Sequence, residues 1–144
     1  MSESNVYEAD ATLVQGLQFV GRGVESGIAV VLDGAEEHGG LESGIRPMES
    51  LLISLAGCTG MDVISILRKK RQEVADFRVE AKGVQAEEHP RRYERIILHY
   101  IVRGRDVSEK AVARSIELSL NKYCGVTASL NSEIDYEYTI EAWN

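Results

Sequence analysis

The run from Pro47 to about Gln72 constrains the fold of this chain more than any other, because it reads as one long helix with too much apolar surface for a single contact. Proline is tolerated at a first helical position, where its missing N–H would have had no intrahelical partner. Arg68, Lys69, Lys70 and Arg71 gather at the far end, where cations complement the negative end of the helix dipole. Between the ends lie Leu51, Leu52, Ile53, Leu55, Ala56, Met61, Val63, Ile64, Ile66 and Leu67, which fill more than one stripe of a 3.6-residue helix. Such a helix belongs between layers or in a subunit interface, and a homodimer is the simple way to cover the second side. Gly57 and Gly60 flank Cys58 in its interior, and each costs roughly 1 kcal/mol of helix stability against alanine. That pair predicts close packing or a local distortion beside the thiol.

The remaining elements follow from shorter patterns. Strands are expected over 6–14 and 28–32, the second closed by the turn signal Asp33-Gly34. Gly21, Gly23 and Gly27 around Arg22 and Glu25 read as turns; no βαβ unit frames them as a dinucleotide fingerprint. A flexible stretch with His38 and Gly39-Gly40 follows, from Gly34 to Gly44. Residues 77–86 and 94–102 predict a hairpin across the charged turn Glu87-Glu88-His89-Pro90-Arg91-Arg92, with Ile96, Leu98, Tyr100 and Val102 on one face. A second helix is expected from Asp106 as N-cap, with Glu109 as the reciprocal partner and Val112, Ile116 and Leu120 inward beside Ser115 and Ser119. In the last strand Ile134, Tyr136, Tyr138, Ile140 and Ala142 alternate with Glu133, Asp135, Glu137, Thr139 and Glu141. Strands, long helix, hairpin, second helix and strand make an α+β fold, with antiparallel sheet because few connections are long enough for parallel crossovers. At 144 residues the chain fits one domain, 1–144.

Composition narrows the function classes. With 44% hydrophobic and 27% charged residues the chain can build a folded core without metals or disulfides. Sixteen basic and 23 acidic side chains leave a net charge of −7, which argues against nucleic acid as the main partner. Arg68–Arg71 and Arg91-Arg92 are read as solvated faces. Met1-Ser2-Glu3-Ser4 carries none of the basic, apolar and cleavage regions of a signal peptide. No stretch approaches ~18 consecutive apolar residues, so no membrane span is expected. Two cysteines are too few for a secreted disulfide framework, and the expected location is cytoplasmic.

Cys58 lies in Ala56-Gly57-Cys58-Thr59-Gly60-Met61-Asp62, and Cys124 ends the second helix in Tyr123-Cys124-Gly125. Neither belongs to a CxxC or CxxH cluster, so spacing carries no zinc signal, and no cofactor or metal is expected. Two readings stay open: small buried hydrophobes, or a reactive pair. The reactive reading needs a thiolate, a cationic partner and a second thiol. Glu49 precedes Cys58 by nine residues, which puts it on the opposite helix face ~13.5 Å away. If the helix is continuous, Glu49 is out of reach of Cys58 in its own chain; either it meets the thiol of a second subunit across a twofold axis, or the helix starts later than Pro47. A glutamate there would act by orienting an arginine; Arg22, Arg91 and Arg92 are the candidates. Asp62, one turn after Cys58, would raise the thiol pKa and reads as part of a polar network or of helix packing. Thr59 and Ser54 line a small pocket or simply pack. His38, His89 and His99 are read as structural or surface residues.

Three segments resemble the OsmC-like family of osmotically induced and organic hydroperoxide resistance proteins: Arg46-Pro47-Met48-Glu49-Ser50-Leu51-Leu52, Leu55-Ala56-Gly57-Cys58-Thr59-Gly60-Met61-Asp62-Val63 and Tyr123-Cys124-Gly125-Val126. The resemblance covers essentially the whole chain. It implies antiparallel sheets wrapped around a long central cysteine-bearing helix, in an intertwined homodimer with active sites at the subunit boundary. It also implies a thiol-dependent peroxidase acting on organic hydroperoxides and more weakly on hydrogen peroxide. Cys58 matches the peroxidatic cysteine, Cys124 the resolving cysteine, and Glu49 the glutamate that holds an active-site arginine. Met48, Leu51 and Met61 would wall the substrate site, and a dithiol such as a protein-bound lipoyl group would regenerate the thiols. The sequence departs from the organic-hydroperoxide branch at Val20-Gly21-Arg22-Gly23-Val24, where that branch has a Gly-Gly-Arg-like context. Cys58–Val63 with Ile66-Leu67-Arg68-Lys69 is more similar to the broader OsmC-like branch. The competing expectation is a non-enzymatic dimer that binds a small ligand or senses redox state.

Overall fold

Three short strands and three longer ones form two separate sheets in a computed structural model that describes residues 5–143. Met1–Ser4, on which the signal-peptide reading rests, and Asn144 lie outside the described residues. The chain divides into two compact units, Met1–Leu51 and Leu52–Asn144.

In the first unit β1 (Ala9–Gln15), β2 (Gln18–Gly23) and β3 (Ala29–Leu32) form an antiparallel sheet in that order. The middle strand was not expected, since Gly21 and Gly23 read as turns. Pairing on both edges overrides their low strand propensity, and Gly21 lies between Ala11 and Val30 in register. Asp33 organises the segment that follows. Its Oδ2 accepts from the Ser43 hydroxyl (2.6 Å) and from the backbone N–H groups of Leu41 and Ser43, while Oδ1 accepts from Gly34 N–H. Four donors, the Ser43 hydroxyl foremost, hold this carboxyl at about 2, below its usual 3.8.

In the second unit the hairpin is longer than expected, β4 (Glu73–Gln85) with β5 (Tyr93–Arg105). The predicted inward face is present: Ile96, Leu98, Tyr100 and Val102 are fully buried. The last strand, β6 (Glu133–Ala142), corrects the purely antiparallel expectation, because it runs parallel to β5 from Arg95↔Glu133 to Gly104↔Ala142. A parallel partner needs a crossover of a dozen or more residues, and the helical segment between β5 and β6 supplies it. That segment holds α2 (Glu109–Leu118), a π-helical turn (Ser119–Tyr123) and α3 (Gly125–Ser129). The cap of α2 is Ser108, whose hydroxyl accepts from Ala111 N–H, rather than Asp106. Glu109 instead accepts from the Tyr138 hydroxyl.

The long helix, α1, spans Pro47–Lys69 without a break and ends three residues before the expected limit. Its Leu55, Thr59, Val63 and Leu67 stripe is buried. Gly60 is seated over Phe77 and Val79 of β4, leaving ordinary contact room for a methyl group, and Gly57 faces open space. Neither glycine marks a distortion beside Cys58. By length and composition α1 is apolar enough to cross a membrane, which the count of consecutive apolar residues had not indicated; 22% of its most apolar stretch is buried.

Candidate thiol site

Helix α1 and the turn after α2 bring the two cysteines together. On α1, Cys58 falls one turn before Asp62, beside the buried Leu55–Thr59 stripe, and is half-buried. Cys124 is 4% exposed and follows the π-helical turn, in which its backbone N–H donates to Ser119 carbonyl oxygen at 2.8 Å. That wide turn moves Cys124 off the regular helical face, and its thiol then caps α3, with Sγ accepting from Thr127 N–H at 3.4 Å. The sulfurs of Cys58 and Cys124 and one carboxylate oxygen of Asp62 all lie within 4.8 Å of one another. Both thiols are free. A disulfide, with S–S near 2.05 Å, therefore needs the sulfurs to close by less than about 3 Å, within reach of side-chain rotation.

Four influences act on the Cys58 thiol. Burial pushes its pKa up, the backbone N–H of Val126 donates to the sulfur and pulls it down, and Cys124 and the like charge of Asp62 push it up again. None of these influences is cationic among the described residues.

Asp62 is held from behind by a buried hydrogen-bonded chain. Ser119 Oγ donates to Asp62 Oδ2 at 2.9 Å, which spends its only proton. Thr59 Oγ1 must then donate to Ser119 Oγ (2.7 Å), and the Tyr100 hydroxyl must donate to Thr59 Oγ1 (2.8 Å). Burial keeps Tyr100 protonated by pushing its phenol up to about 12. Thr59 and Ser119 are fully buried, so the Tyr100–Thr59 and Thr59–Ser119 links are shielded from water. The sequence places Ser119 on the α2 face but carries no signal for the π-helical turn that aims it at Asp62. A surface cleft of about 320 Å³ is lined by Asp62, Ser65, Ile66, Lys69, Leu118 and Tyr123.

The other candidates are placed elsewhere. In β2, Arg22 pairs with Asp10 at 3.2 Å. Glu49, in the first turn of α1, accepts from the backbone N–H of Arg46 at 2.9 Å and so caps its own helix. Within the β4–β5 connection Arg91 donates to Ala86 carbonyl oxygen, and Arg92 to that of Tyr93. His99 meets Thr139 Oγ1 at 2.8 Å on the outer face of the second sheet, and His38 lies 3.4 Å from Glu37.

Comparison with known proteins agrees with this architecture. A family model described as OsmC-like protein matches residues 39–139. The chain is 39% identical over 134 residues to Protein YhfA of Escherichia coli, covering 93% of this chain and 96% of that one. A hypothetical protein from Aquifex aeolicus has a crystal structure similar at TM-score 0.84 and 32% identity, over 97% of this chain and 99% of that one. An organic hydroperoxide resistance protein OsmC from Legionella pneumophila shares the fold at TM-score 0.69 and 11% identity, over 97% and 99% of the two chains.

Proposed function

Since the chain belongs to the OsmC-like family, we propose that it is a thiol-dependent peroxidase that reduces organic hydroperoxides, and hydrogen peroxide more weakly, through Cys58 and Cys124. The observation that carries this reading is the pairing of a half-buried thiol with a buried one whose sulfurs lie within 4.8 Å. The accessible member is suited to attack and the enclosed one to resolve.

In the proposed cycle the Cys58 thiolate attacks one peroxide oxygen. The O–O bond breaks, Cys58 becomes a sulfenic acid, and the alkoxide takes a proton and leaves as an alcohol. The Cys124 thiol then attacks the sulfenic sulfur, forms the Cys58–Cys124 disulfide and releases water. A dithiol, of the lipoyl type, restores both thiols by exchange and is itself oxidised to a disulfide. The Val126 N–H stays on the Cys58 sulfur through the thiolate stage.

Asp62 works against ionisation of Cys58, so the cycle needs a cation beyond the influences that act on this thiol in the single chain. A homodimer is the proposed source, with an arginine oriented by Glu49 and brought to the thiol of the other subunit. Arg22 is the first choice, with Arg91 and Arg92 as alternatives. Such an arginine would stabilise both the thiolate and the developing alkoxide. The exposed apolar residues of α1 support the dimer: Ile53 is 58% and Met61 73% accessible, with Gly57 between them.

Steady-state consumption of cumene hydroperoxide with a dihydrolipoyl reductant tests the reading. Cys58→Ser is expected to abolish turnover. Cys124→Ser is expected to allow one oxidation per chain and then stop at a dimedone-trappable sulfenic acid. Turnover that survives Cys58→Ser would overturn the assignment.

A further inference from the structure

The thiol pocket has a third member that the peroxidase cycle does not use. Asp62 brings a carboxylate oxygen to within 4.8 Å of both sulfurs, and Ser119 fixes that carboxylate through a buried relay ending at Tyr100. Metal-binding side chains are characteristically oriented by such outer hydrogen bonds. The Ser119 bond occupies one lone pair of Oδ2 and leaves the rest of the carboxylate for another partner.

The geometry points to a second use of this pocket: reduced Cys58, Cys124 and Asp62 form a three-ligand site for one thiophilic divalent cation, zinc foremost, with solvent in the open fourth position. Two sulfurs and one oxygen select a borderline-soft ion over magnesium or calcium. Tetrahedral zinc, with Zn–S near 2.3 Å and Zn–O near 2.1 Å, sets its ligand atoms about 3.5 to 3.8 Å apart. The present separations need to shrink by about an ångström, which is less movement than the disulfide requires. The cation also removes a conflict built into the pocket, because two thiolates and a carboxylate crowded together repel one another until a positive charge lies between them. Both thiol protons pass to solvent as the two metal–sulfur bonds form. The cleft bordered by Asp62, Ser65 and Lys69 offers a path from solvent to the carboxylate side.

Zinc and peroxide then compete for the same sulfurs. The metal-bound pair is withheld from oxidation, and the disulfide cannot bind metal. This regulatory half rests on the peroxidase reading; the metal site itself does not.

Titration of the reduced protein with zinc, followed by calorimetry, and with cobalt, followed by thiolate charge-transfer absorption, tests the site. One cation per chain is expected, bound by the reduced protein and not by the disulfide form. Asp62→Asn is expected to weaken binding by about tenfold or more, and Ser119→Ala, which leaves all three ligands in place, by about 10- to 100-fold. Circular dichroism checks that each variant folds. Absence of stoichiometric binding, or equal zinc affinity in wild type and both variants, would overturn the three-ligand site. Zinc binding by thiols that ignore peroxide would keep the site and discard the peroxidase. Rapid peroxide oxidation of thiols that ignore zinc would do the reverse.

Discussion

Asp33 and Asp62 are both carboxylates held by a serine hydroxyl, and their surroundings give them different work. Asp33 is enclosed by four donors from its own loop and is 2% exposed, so its charge serves to shape residues 33–43. Its carboxyl lies at about 2 in the folded chain against an ordinary 3.8. A lowered carboxylate pKa contributes stability that is full above the unfolded value and is lost as pH falls through the folded one. Chemical-denaturation midpoints should therefore fall between pH 4 and about 2, and Asp33→Asn should flatten that part of the profile while lowering stability at neutral pH. An unchanged acid slope in the variant would contradict the assignment. Asp62 instead brings a carboxylate oxygen within 4.8 Å of both thiols, and its partner Ser119 comes from another element, so its position depends on the tertiary fold.

At the scale of elements, the glycines of the second unit divide by what a methyl group would meet. A Cβ at Gly60 would make ordinary contacts with Val79 and Phe77, so Gly60→Ala should stabilise α1 by up to about 1 kcal/mol through helix propensity. A Cβ at Gly83 would collide with the Tyr93 ring, so Gly83→Ala should destabilise the hairpin by about 1 to 3 kcal/mol. Urea unfolding of the two variants checks opposite signs for one substitution type. The same contrast shows what the sequence could reveal. Strict alternation over Ile96, Leu98, Tyr100 and Val102 exposed the buried face of β5, and the residues around Cys58 and Cys124 marked both thiols. The strand at Gln18–Gly23 and the parallel pairing of β6 stayed hidden. Both depend on which partner the chain meets in space, information that no local window holds. The Ser119–Tyr123 π-helical turn stayed hidden for the same reason, and with it the contact between Ser119 and Asp62.

At the scale of the whole molecule, apolar surface is unevenly covered. Among the described residues, the buried hydrophobic side chains all fall from Leu55 onward, while Leu13, Val14, Val30 and Val31 of the first sheet remain exposed. On α1, in the second unit, Ile53 and Met61 are exposed as well. Covering such surface is the physical case for the proposed dimer. Light scattering should find a dimer at micromolar concentration, and Met61→Glu should shift it towards monomer by placing a charge in the interface. A wild-type monomer would contradict this, and with it the supply of the catalytic arginine from a second subunit. The central claim, that Cys58 and Cys124 are chemical partners, is tested most directly by intact-mass and peptide mapping of the reduced protein after one equivalent of cumene hydroperoxide. The account predicts a loss of ~2 Da per chain and a Cys58–Cys124 cross-linked peptide. Two free thiols surviving for minutes at full mass would contradict it.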